Sequence, residues 1–175
     1  MLVANADMVP FRATVLQLAI SRGGVPKLPI LEADVTPLGI AGDVQKNRKY
    51  HGGPNQALLL ITAEGLDELK AAGFPVYPGA LGENVTTLGL DRRQLRLGQR
   101  YRLGEVEIEI TKMREPCRTL APYGPTIQKA VYDADVKAGL PDNTPRWGLA
   151  GFYVKVIKPG RLYPGDPIAL LSDPC

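Results

Sequence analysis

Histidine and cysteine are nearly missing from this chain, and their scarcity excludes several chemistries at once. One histidine (His51) and two cysteines (Cys117 and Cys175) stand among 175 residues. Most zinc sites need several His or Cys ligands and are excluded by that inventory. Two cysteines cannot hold a four-cysteine iron–sulfur cluster. Cys175 is the last residue given, where chains fray, so a structural disulfide is not expected and the count fits a reducing compartment. Long apolar runs are also missing, and residues 1–13 carry no basic segment ahead of an apolar stretch. The expectation is a cytoplasmic protein with no membrane partner. The phosphate-loop, GxGxxG and GxSxG patterns are absent too, which removes three familiar routes to nucleotide binding or serine hydrolysis.

The net charge of +3 comes from 21 basic and 18 acidic residues. That excess is too mild to draw nucleic acid by electrostatics alone, but a local cluster of it suits a small anionic ligand. The length fits one domain over residues 1–175, with no repeat, linker or low-complexity stretch. Such a chain buries roughly 70% of its unfolded surface and needs no staple. What is abundant is punctuation: 19 Gly and 16 Pro are scattered along the chain, as expected for turns between short strands.

Residues 14–20 (TVLQLAI) are β-branched and apolar and read as a first strand, and residues 27–36 read as a strand loosened by Pro29. Residues 39–53 differ in kind. They gather Gly39, Gly42, Asp43, Gln45, Arg48, Lys49, His51, Gly52 and Gly53 into a polar loop, the sort of segment that tends to carry function. Residues 57–61 (ALLLI) suit a strand buried on both faces, after which Thr62 caps a helix over 63–72 that ends at Gly73. Residues 81–90 read as a strand entered and left through glycines, and 101–103 with 106–111 as a hairpin about Gly104. Strict alternation over 105–110 predicts one wet face, which places Glu105, Glu107 and Glu109 in water. A helix over 126–138 and strands over 152–157 and 168–171 complete the chain. Seven to nine strands with two helices predict a mainly β fold, a closed or nearly closed β-barrel, because closure removes exposed edges.

Cys117 follows the wet-faced strand, with Lys112, Arg114 and Arg118 within five positions and Pro116 fixing the backbone. Basic neighbours favour the thiolate, the form that attacks or ligates, whereas a Cys without a task is a small buried apolar group. His51 lies between Arg48-Lys49 and Gly52-Gly53, where bunched cations and glycines let an anion approach. It could equally be a hydrogen-bonded structural group. Glu83, Asn84 and Thr86 are polar residues on a strand that otherwise needs apolar ones, so they serve either a ligand or the neighbouring backbone. Trp147, preceded by Arg146, reads as core or as the flank of a planar ligand.

In order, the stretches GIAGDVQ (39–45), HGGP (51–54), GENVT (82–86), REPC (114–117), and GFY (151–153) through Gly160 to Gly165-Asp166 resemble the MOSC family. That family is named for the C-terminal domain of molybdenum cofactor sulfurases, and the likeness is to its small bacterial type over about residues 14–171. The resemblance implies a barrel of the pyruvate-kinase-barrel kind and an anion-friendly pocket for the molybdenum cofactor (molybdopterin). It also implies that Cys117 corresponds to the family's functional cysteine, as ligand to molybdenum. The implied activity is a cytoplasmic reductase of N-hydroxylated small molecules that needs an external electron donor. The alternative is a sulfurtransferase, a carrier of persulfide sulfur or a cofactor-binding module without turnover; a third reading is a barrel that has lost the cofactor. Asn84, Thr86, Arg114 and His51 are the leading pocket candidates, followed by Arg48, Glu83 and Arg146. Gln56 stands where many small members carry a basic residue, and Gln99 where Asp often follows Gly98. The sequence also stops without the helical C-terminal extension of several small members, which bears on any electron route that uses it.

Overall fold

The computed structural model describes residues 12–45 and 52–174. Strands β1 (Thr14–Ile20), β2 (Leu28–Ile30), β3 (Ala33–Thr36) and β4 (Gly39–Ile40) come first, then β5 (Leu58–Thr62), helix α1 (Ala63–Ala71) and β6 (Val85–Leu88). Next are β7 (Arg100–Leu103), β8 (Val106–Met113), two short helices α2 (Ile127–Val131) and α3 (Ala134–Ala138), and strands β9 (Phe152–Lys158), β10 (Gly160–Leu162) and β11 (Ile168–Ser172). No helix among the described residues is long and apolar enough to cross a membrane.

Local chemistry accounts for the elements that matter most. β5 is buried at every position, as its unbroken apolar run requires of a strand covered on both faces. Thr62 Oγ1 then accepts from Gly65 N at 3.1 Å, satisfying one orphan donor of the first turn of α1. Leu66 and Leu69 face inward, and Gly73 leaves the helix at φ 95°. In the hairpin β7–β8, the wet face carries cross-strand ion pairs. Arg100 bonds Glu109 at 2.8 Å and Arg102 bonds Glu107 at 3.2 Å.

Eight strands form one sheet in the order β11-β7-β8-β9-β5-β6-β1-β2, and β10-β3-β4 form a second. The β5–β6 pair is parallel, joined across by α1, and the other pairs are antiparallel. Met113, Phe152, Leu60, Val85 and Leu18 lie side by side across five strands, and all five belong to the main apolar core. Because side chains alternate faces along a strand, residues one step away point to the opposite side. There α1 and the segments around Leu81, Leu120 and Ile127 cover a second, smaller core. The sheet thus has two dry faces, and the second is only partly roofed by helix.

The barrel is not closed. β1 gives one edge to β6 and, over its C-terminal half, the other to β2. Its N-terminal half meets residues 165–168 through Val15 N to Asp166 O (2.9 Å), Gly165 N to Val15 O (2.7 Å) and Ile168 N to Ala13 O (2.8 Å). Among the described residues only a single isolated bridge, Thr14 with Pro167, results, because Val15 bonds to both Gly165 and Asp166 and the pairing slips there rather than continuing as a ladder. Two further expectations need correction. The strand expected over 81–90 is confined to Val85–Leu88, since Gly79, Gly82 and Gly89 all have φ near 90° and turn the chain. The helix expected over 126–138 breaks at Tyr132-Asp133, where Asp133 leaves helical geometry to cap α3.

Asp133 Oδ1 accepts from Val136 N at 2.9 Å, while Oδ2 accepts from Thr144 Oγ1 at 2.6 Å and Arg146 Nη1 at 3.1 Å. These bonds, the Thr144 one foremost, hold its carboxyl below the usual range. A depressed folded value means stability present at neutral pH and lost as pH falls through that value. Asp133→Ala is therefore expected to cost about 1–2 kcal/mol at pH 7. In urea titrations the difference from wild type should shrink toward about pH 2; an undiminished difference there would refute the assignment.

Candidate functional site

One step from the core row, Tyr153 on β9, Leu59 on β5 and Asn84 just before β6 emerge on the second face of the sheet and line a cavity of about 450 Å³. The remaining wall comes from three loops: Gly24, Val25 and Lys27 after β1; Val44, Gln45, Gly52 and Gln56 from the loop after β4; and Arg114, Cys117, Arg118 and Thr119 after β8. Five neighbouring strands therefore each send residues to one place. The volume falls within the range of about 300–1,000 Å³ usual for small-molecule sites.

Asn84 is a structural hub of this wall. Its Oδ1 accepts from Leu59 N at 3.2 Å, and its Nδ2 donates to Ala19 O at 3.2 Å and Asp43 Oδ2 at 2.8 Å. Both amide protons are thus committed, which ties β1, β5 and the loop after β4 to one side chain. Asp43 completes the tie: it accepts from Ser21 N at 2.9 Å and from Lys27 Nζ at 2.6 and 2.7 Å. The two side chains of that ion pair are only 10% and 5% exposed.

Arg114 continues the pairing of β8 through its N–H to Gly151 O at 3.0 Å. Its side chain is buried, Nη1 donates to Ala150 O at 3.4 Å, and Nε has no partner. Burial pulls the guanidinium below its ordinary value, and Tyr153, Cys117 and Glu83 nearby act the other way. Glu83 is fully buried. Its Oε1 accepts from Gly79 N at 2.7 Å and Thr86 Oγ1 at 3.3 Å, while Oε2 has no partner. Burial pushes its carboxyl up, against the Gly79 bond and the charge of Arg114. Cys117 is half-buried at the cavity edge, its Sγ 2.7 Å from Thr119 Oγ1.

Of the residues singled out from sequence, Cys117, Arg114 and Asn84 meet at this cavity, and Glu83 and Thr86 stand behind Arg114 rather than in the lining. Arg48 and His51 lie outside the described residues. Arg146 is turned to Asp133 and is not among the lining residues. Its neighbour Trp147 is core, with Nε1 donating to Leu95 O at 2.8 Å. Lys27, Tyr153 and Asp43 escaped the sequence reading as site residues. Tyr153 sits in the GFY stretch and could have been flagged; Lys27, between Pro26 and an ordinary strand, carries no local signal.

A family model described as the MOSC domain matches residues 47–169. The chain belongs to the MOSC domain family. That family is associated with molybdenum-cofactor binding and reductase-type proteins. YiiM of Escherichia coli is 33% identical over 146 residues, covering 81% of this chain and 60% of that protein. YflK of Bacillus subtilis is 31% identical over 133 residues, 75% of this chain and 55% of that one. This MOSC chain thus spans rather more than half the length of these relatives. A protein of Gibberella moniliformis named a reductase is 29% identical over 141 residues, which is 78% of this chain but 23% of that protein. Among solved structures, Escherichia coli YiiM superposes with a TM-score of 0.67 at 26% identity, covering 94% of this chain and 71% of that one. YiiM of Geobacillus stearothermophilus gives 0.69 at 23% identity, over 91% and 75% respectively, a likeness of fold.

The donor set fits the group that the family implies. A half-exposed sulfur suits a soft metal, and the basic side chains of Arg114 and Arg118 suit an anionic tail. Two buried polar atoms of lining residues, Arg114 Nε and Gln56 Oε1, have no protein partner, and such atoms ordinarily find one.

Removing the Asp43 carboxylate leaves the Lys27 ammonium buried and unpaired, together with Ser21 N and one Asn84 proton. Asp43→Ala is expected to lower stability by about 3–5 kcal/mol, read from urea midpoints. Adding Lys27→Met should recover part of the loss; strictly additive effects would refute the pairing.

Proposed function

We propose that this chain binds molybdenum cofactor in the cavity beside Cys117 and reduces N-hydroxylated small molecules. The observation that carries the reading is the convergence of a half-exposed cysteine and a buried, incompletely paired arginine on one cavity wall, in a chain of the MOSC family. Cys117 would provide the thiolate that ligates the metal. Arg114 and Arg118 would balance the negative charge of the cofactor's phosphate, and Gln56 would donate or accept at its polar edge. Arg48 and His51, in the loop after β4, are proposed as further contacts. Asn84 would act by holding the wall, and Thr86 and Glu83 by supporting Arg114 from behind. The apolar walls, Leu59, Leu81, Val25 and Tyr153, would exclude water and flank a planar ring.

When bound, the cofactor supplies two-electron redox capacity at the metal. The net reaction breaks the N–O bond, consumes two electrons and two protons, and releases the hydroxyl oxygen as water. The electrons come from an external reductase. The resemblance of the chain to the Gibberella protein supports a reductive role.

Freshly isolated protein should contain molybdenum in about equal ratio to chain. Cys117→Ser should lose most of that metal while its circular dichroism shows the fold intact, and reduction of a hydroxylaminopurine, supplied with a chemical reductant, should fall at least about 100-fold. Metal content unaltered by the substitution would remove Cys117 from its role. A mass increase of one sulfur on Cys117, without turnover, would favour the carrier alternative instead.

A further inference from the structure

Behind the cavity wall stands a carboxylic acid whose proton the proposed reaction does not use. Glu83 has no exposure at all, and its Oε2 is one of the few buried polar atoms without a hydrogen bond. Beside it, Arg114 is buried with Nε unpartnered, and Arg114 itself lines the cavity. The two charges act on one another through space. This carboxyl, without solvent, accepts from Gly79 N and Thr86 Oγ1 by Oε1 and from its own backbone N–H. Burial favours the neutral form, while the guanidinium favours the charged one.

We propose that Glu83 is the proton-linked counterion of Arg114, so that a dianion entering the cavity binds together with a proton taken up at Glu83. The inference rests on the reading of this cavity as an anion site and assigns that site a pH dependence. With the cavity empty, an ionised Glu83 neutralises Arg114. A phosphate-like group set against the same guanidinium competes for it, and its negative charge raises the proton affinity of Glu83 by repulsion. By reciprocity, protonating Glu83 strengthens anion binding by the same factor. The other titratable groups facing this pair are Tyr123, on the turn after Cys117, toward Glu83, and Tyr153 and Cys117 toward Arg114. Tyr123 is held neutral by burial and by its contact with Tyr77, 3.5 Å between hydroxyls. Tyr153 is likewise pushed up by burial. Neither tyrosine competes for the proton at neutral pH, and the Glu83→Gln variant separates Glu83 from Cys117 as the acceptor.

Sulfate tests this cleanly, because it keeps its two charges between about pH 5 and pH 9 and any proton taken up belongs to the protein. Calorimetric titration of sulfate into the full chain, in two buffers of different ionisation enthalpy, should report uptake approaching one proton as pH rises. The dissociation constant should increase by up to about tenfold per pH unit over the same window. Arg114→Gln should remove this binding. Glu83→Gln should bind sulfate with no proton uptake and keep its affinity at high pH. Should that variant fail to fold, infrared spectra of the wild type decide the matter: adding sulfate should raise a protonated-carboxyl band. Sulfate bound without proton uptake, or a Glu83→Gln variant that keeps the wild-type pH dependence, overturns the inference. So does sulfate binding that ignores Arg114. Molybdenum content is read independently, so a protein that holds the metal but takes up no proton sinks this inference and leaves the proposed function standing.

Discussion

A guanidinium taken out of water is the condition on which the rest of this site depends. Arg114 gives up its hydration, and removing such an ion from solvent costs several kcal/mol even after the protein relaxes. The protein answers incompletely. It supplies one carbonyl at 3.4 Å, a carboxyl that acts only through space, and no partner for Nε. A folded chain of ordinary stability can carry one such deficit when packing elsewhere is dense. Here the main core, in which the transverse row from Met113 to Leu18 belongs, lies directly behind the wall that holds the charge. The sheet thus does two opposed jobs with alternate residues of the same strands, apolar cohesion on one face and a polar deficit on the other.

That division explains why the loops are pinned so firmly. A cavity on the outer face of a sheet has no scaffold above it, so its roof must be tied down by side chains. Asp43 collects Lys27, Asn84 and Ser21 N, and Asn84 in turn spends both amide protons on β1 and on Asp43. Close backbone approach adds to the constraint. A Cβ on Gly39 would come within 2.7 Å of Ala57 O, and one on Gly79 within 2.4 Å of Lys27 O. With φ at +122° and +92° as well, these two positions accept glycine and little else. Lys27 is consequently a cation already spoken for, whereas the charge of Arg114 is only partly answered.

The sequence made much of this legible where a single strong local rule applied. The unbroken apolar run of β5, the Thr62 cap and the alternating Glu face of β8 follow from propensity and period alone, and the order of the short motifs pointed to the family that the comparisons establish. Of the candidates, Cys117 was singled out by its basic neighbours after a strand, Asn84 by its polarity on a strand and Arg114 by the family resemblance, and the structure brings these three to one cavity. Misses arose where tertiary geometry overrode local pattern. The pairing of β1 with residues 165–168 slips at Val15 and does not extend into the ladder that would have closed the barrel, a fact of pairing partners rather than of either segment. Asp133 breaks a helix whose apolar spacing is continuous, because its carboxylate has better partners at Val136 N and Thr144 than a helical turn offers. Arg146 looked like a ligand contact because it precedes a tryptophan, yet Asp133 engages it. Lys27 could be found only by folding the chain.

Gln56 bears on how charge is distributed in such a site. At position 56 this chain has a neutral amide whose Oε1 is buried, unpartnered among the described residues and part of the lining. An amide donates and accepts without adding charge. Among the described residues, the loop after β4 contributes Val44, Gln45, Gly52 and Gln56 to the lining, none of them charged. Lys27 is neutralised by Asp43, and Arg118 is exposed to screening by solvent. Among the described residues, what remains to attract an anion inside the cavity is the charge of Arg114, and the buried Glu83 carboxyl acts on that charge through space.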